Sequence, residues 1–175
     1  IFLLEKKNQA VAWSDFLRKN KKKIFVVDQY QAMLEELVSI RHPSLRGDPT
    51  ALHKEQEQFI HAHRQGSTLD KVGVWVYYPW SFTAVHFLPE VWHEELRTAR
   101  NRNLITAEEQ QQFHDCSVAI AGLSVGSHAT ASLVLQGGVN DMRLADQDVL
   151  SGSNLNRIRE GFQSMGLPKV AVAAR

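Results

Sequence analysis

The chain has 175 residues, 43% of them hydrophobic and 22% charged, a composition too apolar for disorder and long enough for one large domain or two small ones. Twenty basic residues against nineteen acidic ones leave a net charge of +1, so no whole-chain field draws the protein to nucleic acid or to a membrane. One cysteine, Cys116, excludes an internal disulfide and a CxxC zinc site, and fits a reducing, cytoplasmic compartment.

The opening Ile1-Phe2-Leu3-Leu4 is too short for a secretory core, and no apolar run reaches the roughly 20 residues that span a bilayer. Ala10 to Asn20 reads as a short amphipathic helix. The basic run Lys19 to Lys23 then leads into Ile24 to Val27, which predicts a buried strand. Asp28 is placed to cap a helix from Tyr30 to Ile40, whose Met33, Leu34, Leu37 and Val38 share one face. Arg46-Gly47-Asp48-Pro49 reads as a turn, followed by a polar helix to Gln65. His53, His61 and His63 on that helix are read as solvated side chains, not as metal ligands, because no carboxylate geometry accompanies them.

Residues 73–88 predict a hairpin broken at Pro79-Trp80-Ser81, and Pro89 starts a helix through Trp92, Leu96 and Ala99. The aromatics of this segment are assigned to core and cross-strand packing. Thr106-Ala107-Glu108-Glu109 has the form of a capping box. After Phe113 the composition shifts from charged and Gln-rich to small and apolar.

From Cys116 the pattern is strand, glycine turn, helix, strand and acidic residue. Ser117 to Ala121 is a short strand, Gly122-Leu123-Ser124-Val125-Gly126-Ser127 a turn of small residues, and His128 to Gln136 a helix with Ala129, Leu133 and Val134 inward. Gly137-Gly138 ends that helix where positive φ favours glycine. Met142 to Ala145 is a second strand, and Asp146 follows it, 24 positions after Gly122. A helix N-terminus offers free amides and the positive end of a dipole to phosphate, and a carboxylate at the second strand's tip can hold ribose hydroxyls. By itself this unit fits either a nucleotide or a dinucleotide, and a turn built only for close helix–strand packing has the same composition.

Beyond it stand Asp146-Gln147-Asp148, then Ser153-Asn154-Leu155-Asn156-Arg157, then Gly166-Leu167-Pro168-Lys169. This succession resembles the ThiF/MoeB/HesA family, the adenylyltransferases akin to ubiquitin-activating enzymes. The resemblance implies an α/β protein: an N-terminal α+β module over 1–96, then from 97 to 175 the front half of a Rossmann-like, doubly wound adenylation domain, cut short. It implies that Gly122, Ser124 and Gly126 line the phosphate turn of ATP, that Asp146 holds the ribose with Asp148 beside it, and that Asn154, Arg157 and Lys169 face the triphosphate. It further implies a homodimer in which Arg102, or failing that Arg100, reaches the partner subunit's site.

The implied reaction is ATP-dependent adenylation of a carboxylate, on a small molecule or on the C-terminus of a ubiquitin-like or sulfur-carrier protein. The magnesium-binding aspartate is expected past residue 175, and no metal ligand is assigned within the chain. Ile158 stands where the family has glutamine, and Ser124 and Ser127 stand where a dinucleotide fingerprint would have glycines. The segment 74–92 with Arg100-Asn101-Arg102 also resembles bacterial ThiF-family proteins fused to a nitroreductase-like domain. With no initial methionine and a helical-looking run at Val170 to Arg175, a longer parent is expected. The rival readings are a redox protein that binds NAD or FAD and a non-catalytic nucleotide-binding interaction module.

Overall fold

A computed structural model describes residues 2–3, 7–20 and 22–174, with side chains from residue 11 onward. The opening stretch Ile1 to Leu4, Lys21 of the basic run and the terminal Arg175 therefore lie wholly or partly outside the described residues. The chain divides into two compact units, Ile1–Leu96 and Arg97–Arg175.

The first unit holds a four-stranded sheet built from β1 (Phe2–Leu3), β2 (Phe25–Val27), β3 (Val74–Tyr78) and β4 (Thr83–Phe87), in the order β1-β3-β4-β2. β3 and β4 form the antiparallel hairpin, and β2 joins β4 in parallel. Helices α1 (Lys7–Asn20), α2 (Tyr30–Arg41), α3 (Pro49–Arg64) and α4 (Glu90–Arg97) accompany it. Two apolar clusters make the core, one around Trp13, Trp75 and Ala84, the other around Tyr30, Leu34, Leu37 and Leu88.

The clusters meet in a column of rings. Trp13 lies 4.9 Å from Trp75, Trp75 lies 4.3 Å from His86, and His86 lies 3.9 Å from Tyr30, the last two pairs nearly parallel at 9°. His86 is fully buried, its Nδ1 lying 3.0 Å from Asp28 Oδ1 and its Nε2 2.7 Å from the Val72 carbonyl oxygen. Trp75 and His86 are cross-strand partners, so α1 and α2 stand on one sheet face and close it through aromatic stacking. Arg41 binds Glu95 at 2.6 Å and lies over the Phe59 and Trp92 rings, which joins α2, α3 and α4.

Several local expectations are corrected here. Ile24 to Val27 is not a buried strand: β2 is the sheet edge, with Phe25 69% and Val26 47% exposed, because only β4 pairs with it. Gln29, not Asp28, is the N-cap of α2; Asp28 still accepts the Tyr30 N–H at 3.1 Å while holding His86. The predicted turn at Arg46 to Pro49 is a 3-10 turn over Pro43–Gly47 followed by Asp48, which caps α3 by accepting the Thr50 and Ala51 N–H groups. α4 stops at Arg97, and Ala99–Asn103 is a separate 3-10 turn. His63 donates to or accepts from the Tyr30 hydroxyl at 2.7 Å, so it is a packing residue and not a solvated one.

In the second unit α5 (Ala107–Asp115) starts on the capping box, with Thr106 Oγ1 accepting the Glu109 N–H and Glu109 accepting the Thr106 N–H. β5 (Ser117–Ala121), α6 (Gly126–Leu135) and β6 (Asp141–Ala145) make a βαβ unit whose two strands pair in parallel. Val118 faces Met142 and Ile120 faces Leu144, so the half-buried residues of both strands share a face. α6 begins two residues before the expected His128, and its buried side chain is Thr130; Ala129 and Val134, expected inward, are exposed. Apolarity alone misplaces that face, because the strand side of the helix is set by Gly126, whose missing side chain leaves room for Ile120. A Cβ at Gly126 would stand 2.7 Å from Ile120 Cγ2. Gly137, at φ 70°, turns the chain out of α6, and the Phe113 ring fills the place of a side chain at Gly138.

Candidate nucleotide site

Apart from Arg102, the residues assigned to nucleotide chemistry lie in the segments that follow the C-terminal ends of β5 and β6. Gly122 follows β5 at φ +87°, a conformation cheap only for glycine, and the place of a Cβ there is open space. Its N–H binds the Ala145 carbonyl at 2.8 Å, so the turn leaves the sheet directly beside the end of β6. α6 opens at Gly126 with Val125 as N-cap and no side-chain cap bond. The His128 N–H binds the Val125 carbonyl at 3.0 Å, and no side chain caps the Gly126 and Ser127 amides, an arrangement suited to an anion at a helix start.

Asp146 emerges from β6 and turns back onto this loop. Its Oδ2 accepts the Leu123 N–H at 2.6 Å and its Oδ1 the Asp148 N–H at 2.8 Å. The Leu123 amide first, then the Asp148 amide, hold its carboxyl below the ordinary carboxylate range, with the Lys169 ammonium adding to both. Asp146 thus ties the glycine turn to the strand end, a role its position in the sequence does not reveal.

Residues 148–150 run alongside 166–169. Val149 bridges Pro168, Leu150 exchanges hydrogen bonds with Gly166 and Leu167, and the Lys169 N–H binds the Asp148 carbonyl at 3.0 Å. Gly166, at φ +81°, makes the bend that returns the chain. This pairing delivers Lys169, the first residue of α7 (Lys169–Ala173), to the two carboxylates: Nζ is 2.8 Å from Asp148 and 3.7 Å from Asp146. The Lys169 side chain is 7% exposed, so it is not the solvated surface charge that a lone lysine suggests. Its hydrogen bond to Asp148 raises its pKa, outweighing burial, which lowers it.

Asn154 is buried and turned inward. Its Oδ1 accepts from the Ser151 N–H at 3.1 Å and lies 3.1 Å from the Ser151 hydroxyl, forming the box that starts the 3-10 turn Gly152–Asn154. Arg157 points back to the glycine turn, its Nε donating to Ser124 Oγ at 2.5 Å and its Nη1 to Ser153 O and Asn156 Oδ1. Ile158, in place of a polar residue, is buried, which gives its apolar side chain a packing role. A cavity of about 350 Å³ lies against α6, lined by Leu123, Ser127, His128, Ile158 and Lys169 among others.

The structure therefore gathers Gly122, Ser124, Gly126, Asp146, Asp148, Arg157 and Lys169 into one corner, with Asn154 supporting it from within. Arg102 lies apart in sequence, exposed on the 3-10 turn Ala99–Asn103. His128, which the sequence did not single out, joins this corner: its Nε2 binds the Arg157 carbonyl. Only its place at the start of α6 could have pointed to it. Among the described residues no helix is long and apolar enough to cross a membrane, and no group of three His, Cys, Asp or Glu could hold a metal ion.

Residues 98–175 match the model of the ThiF family. A Mycobacterium tuberculosis (strain CDC 1551 / Oshkosh) protein described as "Uncharacterized protein MT1398" is 41% identical over 107 residues, 61% of this chain. The chain spans 15% of the length of that relative. No solved structure matches. The DxD, SNLNR and Gly-x-x-Lys segments all lie inside the span, residues 98–175, that is similar to the ThiF family.

Proposed function

We propose that residues 97–175 are the ATP-binding front part of an adenylating enzyme that activates a carboxylate as its acyl-adenylate. The observation that carries this is the convergence of an uncapped α6 N-terminus, Arg157 and Lys169 on the corner where Asp146 ends β6. In the reaction a carboxylate oxygen attacks the α-phosphorus of ATP, and the bond to the leaving pyrophosphate breaks. Cations are needed where charge gathers on phosphate oxygens, and a guanidinium and an ammonium supply it without proton transfer. The amides of Gly126 and its neighbours would receive phosphate oxygens, with Gly122 and Ser124 leaving the approach open. Asp146, with Asp148 beside it, would hold the ribose; Asn154 would shape the loop that presents Arg157.

On this reading the chain works as a homodimer, with Arg102 reaching the partner subunit's site, and magnesium accompanies the triphosphate without a ligand that we assign here. The substrate is a small-molecule carboxylate or the C-terminus of a ubiquitin-like or sulfur-carrier protein, and the compartment is cytoplasmic. The aromatic segment 74–92 supports a longer parent that also carries a nitroreductase-like domain. A dinucleotide would use the same turn and Asp146 but leaves Arg157 and Lys169 without a task.

The test is ATP–pyrophosphate exchange by the full-length protein with a panel of carboxylates and carrier-protein tails. Exchange that depends on a carboxylate and is abolished by Arg157→Ala is the expected result. Exchange unaffected by that substitution would remove Arg157 from the site, and tighter binding of NAD than of ATP would replace the adenylation reading with the dinucleotide one.

A further inference from the structure

We infer that Ser124 and His128 are positioning residues for Arg157, a two-point clamp that fixes its guanidinium at the phosphate turn; the inference rests on the reading of Arg157 as a phosphate ligand. The two ends of the clamp hold different parts of one residue. Ser124 Oγ accepts from Arg157 Nε at 2.5 Å, and His128 Nε2 donates to the Arg157 main-chain carbonyl, across 33 and 29 residues of sequence. Because that partner is a carbonyl, His128 must carry its proton on Nε2.

An exposed arginine ordinarily spreads over many rotamers, and ordering it on a ligand costs affinity. Here Nε is held by Ser124, and Nη1 by Ser153 O at 3.1 Å and Asn156 Oδ1 at 2.9 Å. Among the described residues Nη2 has no protein partner. The guanidinium plane is thus set beforehand with one nitrogen left for a ligand oxygen.

The clamp also gives the unusual turn a purpose. Glycine at 124 would open the approach to phosphate but offers nothing to Arg157. Serine stays small and adds the one atom that reaches it. Ser127 steadies the same turn, its hydroxyl donating to the Ser124 carbonyl at 3.2 Å.

The experiment measures ATP affinity by calorimetry on the full-length protein and on Ser124→Ala, Ser124→Thr, His128→Ala and Arg157→Ala, and on Ser124→Ala combined with Arg157→Ala. Ser124→Ala is expected to weaken ATP binding about three- to tenfold, the size of coupling seen between directly bonded residues. In the Arg157→Ala background the same change is expected to do nothing, and Ser124→Thr, which keeps the hydroxyl, is expected to bind as the wild type does. His128→Ala should weaken binding in the wild-type background. Equal losses from Ser124→Ala in both backgrounds would show a merely structural role and overturn the clamp. So would an inert Ser124→Ala beside a damaging Arg157→Ala, while leaving the phosphate role of Arg157 standing. An inert Arg157→Ala would overturn both.

Discussion

The Asp146 carboxylate accepts the main-chain N–H of Leu123 at 2.6 Å, joining the tip of one strand to the turn that follows its neighbour. The bond makes the acidic residue of the nucleotide pattern a brace for the glycine turn as well. Asp146→Asn keeps one carbonyl oxygen but sets an amide where the second acceptor stood and removes the charge facing Lys169. We expect a loss of about 1–3 kcal/mol of stability in the second unit, the usual cost of spoiling a charged buried hydrogen bond. Urea unfolding of the purified protein measures it.

The same carboxylate fixes a pH dependence. Its pKa is lowered from 3.8 on folding, so the folded state binds the proton less readily than the unfolded chain. The stabilisation is complete above the unfolded value and is lost as pH falls through the lower folded value. The difference in urea midpoint between wild type and Asp146→Asn should be constant from pH 7 to 5 and shrink below about pH 4, where ordinary aspartates take up their proton.

Gly126 lets the first turn of α6 lie on β5. With a Cβ only 2.7 Å from the Ile120 methyl, Gly126→Ala must push the helix start or the strand aside. We expect a loss of about 1–3 kcal/mol, the range for overpacking a fitted contact. Ile120→Val, which keeps the branched Cβ, should not relieve it, whereas Ile120→Ala in the Gly126→Ala background should recover part of it, as chemical unfolding of the double mutant would show.

In the first unit His86 is the hinge of the ring column. His86→Leu matches its size but removes the ring's contacts with the Val72 carbonyl and the Asp28 carboxylate, which keeps the Tyr30 N–H. An expected loss of about 2–4 kcal/mol combines the lost contact at the Val72 carbonyl with the lost stacking on Tyr30 and Trp75. The readout is the unfolding midpoint together with near-ultraviolet circular dichroism, which reports the Trp13 and Trp75 environment.

What the sequence by itself determined is the chain of local elements in the second unit and the chemistry strung along it. Period-two apolar residues made β5 and β6, Thr106 and Glu109 made a capping box, Gly137 ended α6, and Asp146, Arg157 and Lys169 kept the spacing by which the family is recognised. These features act through neighbours within a few residues, so composition and spacing carry them. Tertiary structure alone decided which side chains meet. The antiparallel bridge between Val149 and Pro168 buries Lys169 against two carboxylates, Arg157 folds back on Ser124, and a lone histidine stacks between Tyr30 and Trp75. It also left β2 exposed and turned α6 by a face, because an edge strand has one partner and a helix follows the glycine that fits the sheet, not its own most apolar stripe. Contacts between residues dozens of positions apart depend on how whole elements pack, and no local pattern records that geometry.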